Sequence, residues 1–154
     1  MFNNMNMKKI SFVILMLLFF AVSNAQQKVS WSYTAKKFGN NKYEIHIVAT
    51  PPQGWHIYSQ YTPEGGPIPT NFRFTNNSLI ALQGKVIEKG KVITYFDPNF
   101  KVNVKYFEGK ADFVQIVTIV GNVKTNVSGE VESMICNDRT CMPPITEKFN
   151  IRLN

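Results

Sequence analysis

Hydrophobic side chains recur at every second position over much of this chain, and this spacing restricts the fold more than any other feature. Successive residues of a β-strand point to opposite faces, so alternation indicates strands with one buried face. The alternating segments are residues 43–47, 72–74, 100–106 and 149–153, and a longer, more apolar run covers residues 111–120. The spacing therefore predicts an all-β protein.

Turn-forming residues separate these segments. Glycine, proline, asparagine and aspartate favour the backbone conformations of tight turns. They cluster at residues 39–41, 51–54, 76–77, 97–99 and 108–110. No amphipathic pattern of helix length follows residue 25. Roughly seven to nine short strands in a single domain of this size predict an immunoglobulin-like β-sandwich.

The N-terminal segment, residues 1–25, has the features of a secretory signal peptide. Lys8 and Lys9 precede an apolar run at residues 10–22, which is shorter than the roughly 20 residues of a comfortable membrane span. Ser23 and Ala25 supply small residues at the −3 and −1 positions of a cleavage site. We predict export and cleavage near Ala25, and a retained N-terminal anchor is the alternative. Residues 26–154 would then form one mature domain in a compartment that permits disulfides.

The charge distribution does not indicate a nucleic-acid site. The chain has a formal net charge of +7, of which Lys8 and Lys9 would leave with the signal peptide. The other lysines are scattered singly among the strand-like segments, without a basic block or a nucleic-acid-binding motif. We therefore expect a mildly basic, solvated exterior and no nucleic-acid partner.

The only two cysteines, Cys136 and Cys141, lie between two strand-like segments at residues 127–135 and 147–153. Two strands joined by a short turn form a hairpin. Residues at the two bases of such a turn can come within the roughly 4.4–6.8 Å Cα separation that a disulfide needs. We expect a reversible disulfide across the tip of a hairpin.

The residues around this pair do not decide whether the disulfide is structural or reactive. Closing so short a loop stabilises a protein by only about 2 kcal/mol, against about 4–5 kcal/mol for a loop of a hundred residues. Arg139 would favour a thiolate, whereas Asp138 would oppose it. Pro143 and Pro144 limit strand pairing after Cys141 and would leave its sulfur accessible. An ordinary hairpin disulfide therefore remains open beside a redox-active one.

Two aromatic segments, residues 54–61 and 94–100, fit poorly as plain strands. The first continues into a loop rich in glycine and proline at residues 62–69. Such segments either pack at the edge of a core, shield a reactive group or form a docking surface. We interpret the two histidines, His46 and His56, as surface or packing residues and not as general bases.

Three motifs follow one another along the chain. They are Gly-Trp-His-Ile-Tyr at 54–58 with Gly-Gly-Pro-Ile-Pro-Thr at 65–70, Tyr-Phe-Asp-Pro-Asn-Phe at 95–100, and Cys-x4-Cys-Met-Pro-Pro at 136–144, followed by Phe149. Together they resemble the N-terminal periplasmic domain of the thiol:disulfide interchange protein DsbD, in a short form exported as a separate protein. The resemblance extends over essentially the whole mature chain, and the cysteine motif is its most specific part.

The resemblance implies an immunoglobulin-like sandwich with the cysteines on a hairpin. It implies a periplasmic domain that accepts electrons from a thioredoxin-like donor or a membrane electron transporter and reduces disulfides of exported client proteins. Such a domain is a thiol-disulfide oxidoreductase of the protein-disulfide reductase type, or its electron-relay component, without a cofactor or a metal. Cys136 and Cys141 would be the redox pair, with Cys141 as the nucleophile and Cys136 as the resolving thiol.

The resemblance also implies a cap, a segment that covers the cysteine pair and opens for partners. Residues 95–100 align with the cap, and we refer to them as the cap segment. Tyr95, Asp97 and Phe100 would shield the pair, with Asp97 and Phe100 as the main working residues. Tyr58 matches an aromatic residue near the site. This cap segment contains Pro98 and has one acidic residue where relatives have two.

Two other functions remain open from the sequence. One is an exported immunoglobulin-like binding module whose disulfide is only structural and resists mild dithiols. The other is a Cu(I) carrier, because Met134, Cys136, Cys141 and Met142 are soft sulfur ligands that suit this ion. Methionine beside cysteine on a strand more commonly fills the core.

Overall fold

The computed structural model describes residues 28–153, which form eleven β-strands and contain no helix. The predicted signal peptide and its cleavage site lie outside the described residues. The strands are β1 (Ser30–Gly39), β2 (Lys42–Thr50), β3 (His56–Tyr58), β4 (Asn71–Phe74), β5 (Ile80–Lys89), β6 (Ile93–Asp97), β7 (Val102–Phe107), β8 (Ala111–Ile119), β9 (Thr125–Ser133), β10 (Ile135–Cys136) and β11 (Ile145–Leu153). Within residues 28–153 there is thus no helix that could span a membrane.

The strands form three antiparallel sheets that pack as a sandwich. The main sheet has the order β1-β2-β8-β5. The site sheet has the order β10-β3-β7-β6, and the hairpin sheet has the order β11-β9-β4. The predicted all-β sandwich is confirmed.

The alternating segments place their apolar residues in one core, as predicted. In β2, Tyr43, Ile45 and Ile47 are buried, and the residues between them are half-buried on the other face. In β11, alternate residues from Phe149 to Leu153 are buried in the same way. The core therefore lies between the main sheet and the hairpin sheet, with rings from both sides in contact.

The apolar run at residues 111–120 forms β8, which lies in the interior of the main sheet between β2 and β5. Phe113 is fully buried there. Its ring centroid lies 6.3 Å from that of Trp31, 5.0 Å from that of Phe72 and 6.1 Å from that of Phe107. These three rings belong to β1, β4 and β7, so one side chain joins all three sheets.

Two details of the sequence prediction for the cap segment are wrong. Phe100 was expected to begin a strand, but it lies in a turn, and β7 begins at Val102. Residues 94–97 were expected to fit poorly as a strand, but they form β6, which pairs with β7 from Ile93↔Tyr106 to Asp97↔Val102. The cap segment is consequently the end of a hairpin, because its backbone groups find hydrogen-bonding partners on β7.

The strand count also exceeds the predicted seven to nine, for identifiable reasons. β3 has three residues and β10 has two, which is too short for any periodicity to be visible. In β5, the register with β8 shifts between Gln83 and Ile87, and Gly84 has a φ of +67°. This irregularity interrupts the alternation by which the strand could have been predicted.

Candidate functional site

The cysteines lie at the tip of the β9–β11 hairpin, as predicted. The arms pair without interruption from Thr125↔Leu153 to Ser133↔Ile145. Beyond the arms, the tip of the hairpin no longer pairs within the hairpin sheet, because β10 pairs with β3 of the site sheet. The cysteines therefore lie at the edge of the site sheet.

A compact turn holds the two cysteines opposite each other. Asn137 N donates to Thr140 O at 2.9 Å, and Met142 N donates to Ile135 O at 2.9 Å. The Asn137 side-chain oxygen also accepts bonds from the backbone N–H groups of Arg139 and Thr140. Between these bonds the cysteines form a non-hydrogen-bonded pair, the position at which facing side chains are closest.

Cys136 and Cys141 form a disulfide, and their Cα atoms are 4.0 Å apart, slightly closer than the predicted range. The two partners differ sharply in accessibility. Cys136 is 2% exposed and packs with Tyr58 and Val104, whereas Cys141 is exposed. A reacting protein can therefore approach the sulfur of Cys141 far more readily than that of Cys136.

The disulfide lies in an open cleft of about 600 Å³. The cleft is lined by the cysteine turn (residues 136–141), by the cap segment and by side chains of β3 and β7. All six residues predicted for the site line this cleft: Tyr58, Tyr95, Asp97, Phe100, Cys136 and Cys141. The structure thus brings them together, while their individual roles stay predictions.

Asp97 forms the hydrogen bonds of the turn that joins β6 and β7. Its Oδ1 accepts bonds from the backbone N–H groups of Asn99 at 2.8 Å and Phe100 at 3.3 Å. Its carbonyl oxygen accepts a bond from Lys101 N at 2.7 Å. Pro98 suits the second position of such a turn because its φ is already fixed. The carboxylate therefore positions Phe100 at the edge of the cleft.

The aromatic side chains of residues 95–100 are partly exposed in this structure. Tyr95 is 52% exposed and Phe100 is 38% exposed. Both side chains line the cleft that contains the disulfide.

His56 belongs to the site, which was not predicted from the sequence. It is the cross-strand partner of Cys136, and its side chain lines the cleft. Its Nε2 lies 3.0 Å from the Tyr58 hydroxyl oxygen, and its ring centroid lies 4.3 Å from that of Tyr106. The alternation of side chains along a strand could have indicated His56. Residues 56 and 58 of one strand share a face, and Tyr58 had been predicted to lie near the site.

Burial shifts the pKa values of His56 and Tyr58 in opposite directions. It lowers the pKa of His56, although the negative charges of Glu108, Asp138 and Asp97 act in the opposite direction. Burial is also the main reason that the pKa of Tyr58 is raised to about 12, and the charges of Asp97 and Tyr106 add to this effect. The Tyr58 hydroxyl therefore keeps its proton at any physiological pH.

The segment after β3 is held by a carboxylate from the main sheet. Ser59 Oγ donates to Glu88 Oε2 at 2.7 Å, and Gln60 N donates to Glu88 Oε1 at 2.6 Å. Thr70 Oγ1 donates to the Tyr58 carbonyl oxygen at 2.5 Å. These bonds fix the end of β3, and with it the position of Tyr58 in the cleft.

The Cu(I) hypothesis requires that the four sulfur ligands considered for it lie together. Within residues 28–153, no group of three or more His, Cys, Asp or Glu side chains could hold a metal ion. Met134 packs with the cluster that contains Cys136, but Met142 packs against the main core. The two methionines considered for Cu(I) therefore pack against different clusters of buried residues.

A family model for the N-terminal part of the thiol:disulfide interchange protein DsbD matches residues 24–153. The chain belongs to this DsbD N-terminal family. It is a thiol–disulfide interchange domain with a cysteine pair. The resemblance predicted from the three motifs is thus confirmed. No protein with a curated description matches the chain.

Two solved structures share its fold. One is the DsbD N-terminal domain of Neisseria meningitidis in its reduced form, with 14% identity over 80% of this chain and 86% of that chain and a TM-score of 0.54. The other is the N-terminal periplasmic domain of ScsB from Proteus mirabilis, with 15% identity over 87% of this chain and 49% of that chain and a TM-score of 0.57. The predicted immunoglobulin-like fold is confirmed by this similarity.

Proposed function

We propose that this DsbD-type domain works in the periplasm as an electron relay, a component of a protein-disulfide reductase system. It accepts two electrons from a reduced thioredoxin-like donor and passes them to disulfides of exported client proteins through Cys136 and Cys141. The observation that carries the proposal is the asymmetry of the pair. An exposed Cys141 is bonded to a buried Cys136 in an open cleft.

This asymmetry supports a division of labour between the two sulfurs. In the reduced domain, the Cys141 thiolate attacks a client disulfide, and one client sulfur leaves as a thiolate. Cys136 then attacks the sulfur of Cys141, which re-forms the Cys136–Cys141 bond and releases the second client sulfur. The client gains two electrons and the domain loses two. The same exchange with a reduced donor recharges the domain.

The periplasmic location is supported by two observations. The similar ScsB domain is described as periplasmic, and residues 1–25 have the features of a signal peptide. A disulfide that cycles between states needs a compartment in which both states persist. A thioredoxin-like donor fits the family description as a thiol:disulfide interchange protein.

The direction of electron flow can be tested with purified proteins. Thioredoxin kept reduced by NADPH and thioredoxin reductase should reduce the oxidised domain, which is followed by NADPH consumption. The reduced domain should then open a disulfide in a test protein, which is followed by mass spectrometry after thiol alkylation. A domain that reduced thioredoxin does not reduce, or whose reduced form leaves the client disulfide closed, would contradict the proposal.

We expect the cap segment to slow unwanted oxidation of the reduced pair. Replacing Phe100 with alanine should speed the loss of both thiols to a small disulfide such as glutathione disulfide severalfold, because access limits this reaction. The measurement is the rate of thiol loss in the mature domain. Phe38→Ala is the control, since Phe38 is a 52% exposed aromatic residue of β1. Equal rates for wild type and Phe100→Ala would show that the cap does not shield the pair.

A further inference from the structure

We propose that His56 is the base that takes the proton from Cys136 when Cys136 resolves a mixed disulfide. This inference rests on the function proposed above, in which Cys136 must displace a client from Cys141. Its basis is the placement of an imidazole directly across two paired strands from the resolving cysteine.

The strand register places the two side chains on one face. Ile135 pairs with Ile57, and Cys136 pairs with His56. Ile57 and Ile135 are both buried in the main core, so the residues beside them, His56 and Cys136, point the other way, into the cleft. Both His56 and Cys136 line that cleft. Directly opposite residues of an antiparallel pair have Cβ atoms only about 4.5–5.5 Å apart.

The position of Cys136 creates the need for a base. Only the thiolate is the nucleophile in thiol–disulfide exchange. Cys136 is 2% exposed and packed with Tyr58 and Val104, so bulk water has poor access to its proton. The two carboxylates that line the cleft are less suitable, because Asp97 is bonded within its own turn and Asp138 is exposed at the hairpin tip.

One ring nitrogen of His56, Nδ1, is available to accept the proton of Cys136. Its Nε2 lies 3.0 Å from the Tyr58 hydroxyl oxygen, and Tyr106 covers one face of the ring. In the tautomer that acts as a base, Nε2–H donates to the Tyr58 oxygen and Nδ1 carries the lone pair. Within residues 28–153, Nδ1 makes no hydrogen bond. The lowered pKa of His56, caused chiefly by burial, keeps the ring neutral at neutral pH and ready to accept a proton.

The pH dependence of the step also reflects the groups around the ring. The titratable and charged groups that face the cleft or act on His56 are Tyr58 on β3, Tyr106 and Glu108 at the end of β7, Tyr95 and Asp97 on β6, and Asp138 and Arg139 in the cysteine turn. Three of them are acids that favour the imidazolium form once the proton has been taken up.

The step balances without any further reagent. The proton moves from Cys136 Sγ to His56 Nδ1, which gives a thiolate beside an imidazolium. The thiolate attacks Cys141 Sγ, the Cys136–Cys141 bond forms, and the bond from Cys141 to the client sulfur breaks. The client sulfur leaves with the electron pair and receives the proton from the imidazolium. The client is reduced by two electrons, the cysteine pair is oxidised, and His56 is neutral again.

Stopped-flow reaction of the reduced mature domain with 5,5′-dithiobis(2-nitrobenzoate) separates the two chemical steps. The first released thiolate reports attack by Cys141, and the second reports resolution by Cys136. The released aromatic thiolate needs no proton, so the second phase depends on the deprotonation of Cys136. We expect His56→Phe and His56→Gln to slow the second phase about tenfold or more at pH 7 and to leave the first phase unchanged.

The pH profile separates a base from a merely structural residue. The rate of the second phase in both His56 variants should approach the wild-type rate as the pH nears 9, because hydroxide then acts as the base. His46→Gln is the control, because His46 lies on the main sheet and contacts Asp112 and Glu44 away from the cleft. Thermal unfolding of each variant shows whether it is folded.

A second measurement needs no variant at His56. In the wild-type domain, the rate of the second phase should level off once the pH exceeds the lowered pKa of His56, because the ring is then fully neutral. A second phase that keeps the wild-type rate in both His56 variants, or a wild-type rate that rises in proportion to hydroxide up to pH 9, would overturn the inference. A wild-type domain that fails the donor-to-client assay would instead count against the proposed function.

Discussion

Replacing Cys136 with alanine should leave the reduced domain covalently joined to a client through Cys141, whereas Cys141→Ala should prevent attachment almost completely. Each variant removes one cysteine thiol, so a difference in the amount of trapped client reflects only the different positions of Cys136 and Cys141. Cys141 is exposed at the cleft and Cys136 is 2% exposed beneath it. Only Cys141 can reach a partner, and without Cys136 the resulting mixed disulfide has no resolving thiol.

The trapped species is measured by non-reducing electrophoresis and mass spectrometry after incubation with an oxidised test protein. The Cys136→Ala/Cys141→Ala double variant gives the background. Addition of a dithiol should release the trapped client, which shows that the link is a disulfide. Equal trapping by the two single variants would show that both sulfurs are accessible and would remove the basis for separate roles.

Replacing Phe113 with alanine should lower the free energy of unfolding by about 3–5 kcal/mol. Phe113 is fully buried, and its ring contacts rings from all three sheets. The variant loses both the transfer free energy of the ring and the packing around the cavity that remains. A loss of this size is a large fraction of the roughly 5–15 kcal/mol that holds a typical domain together.

Urea unfolding of the oxidised domain measures this loss, with the disulfide intact in every sample. Phe38→Ala is the matched control, because the Phe38 side chain is 52% exposed on β1, and such surface changes usually fall within about 0.5 kcal/mol. If Phe113→Ala were no more destabilising than the control, the three sheets would not share the core described above.

The elements predicted most accurately from the sequence are those whose burial follows a local rule. β2 and β11 alternate strictly, because one face of each packs on the core and the other meets solvent. The cysteine hairpin was also predictable, because its two arms are close in sequence and separated by turn residues. In these cases the pattern and the structure depend on the same few neighbouring residues.

The parts that were missed depend on contacts between residues distant in sequence. The pairing of β10 with β3 joins Cys136 to His56, and no local pattern indicates that a hairpin tip will cross to another sheet. The burial of Cys136, and the membership of His56 in the site, both follow from that crossing. Similarly, residues 94–97 are a strand only because β7 offers hydrogen-bonding partners.

The redox equilibrium of the Cys136–Cys141 pair is the most direct test of the central claim, that this disulfide is a working redox centre. The mature domain is equilibrated in graded dithiol buffers, and the free thiols are trapped and counted. We expect a potential between about −120 and −270 mV, the range of catalytic disulfides. A potential below about −300 mV would make the disulfide structural, and the domain would then be an immunoglobulin-like binding module.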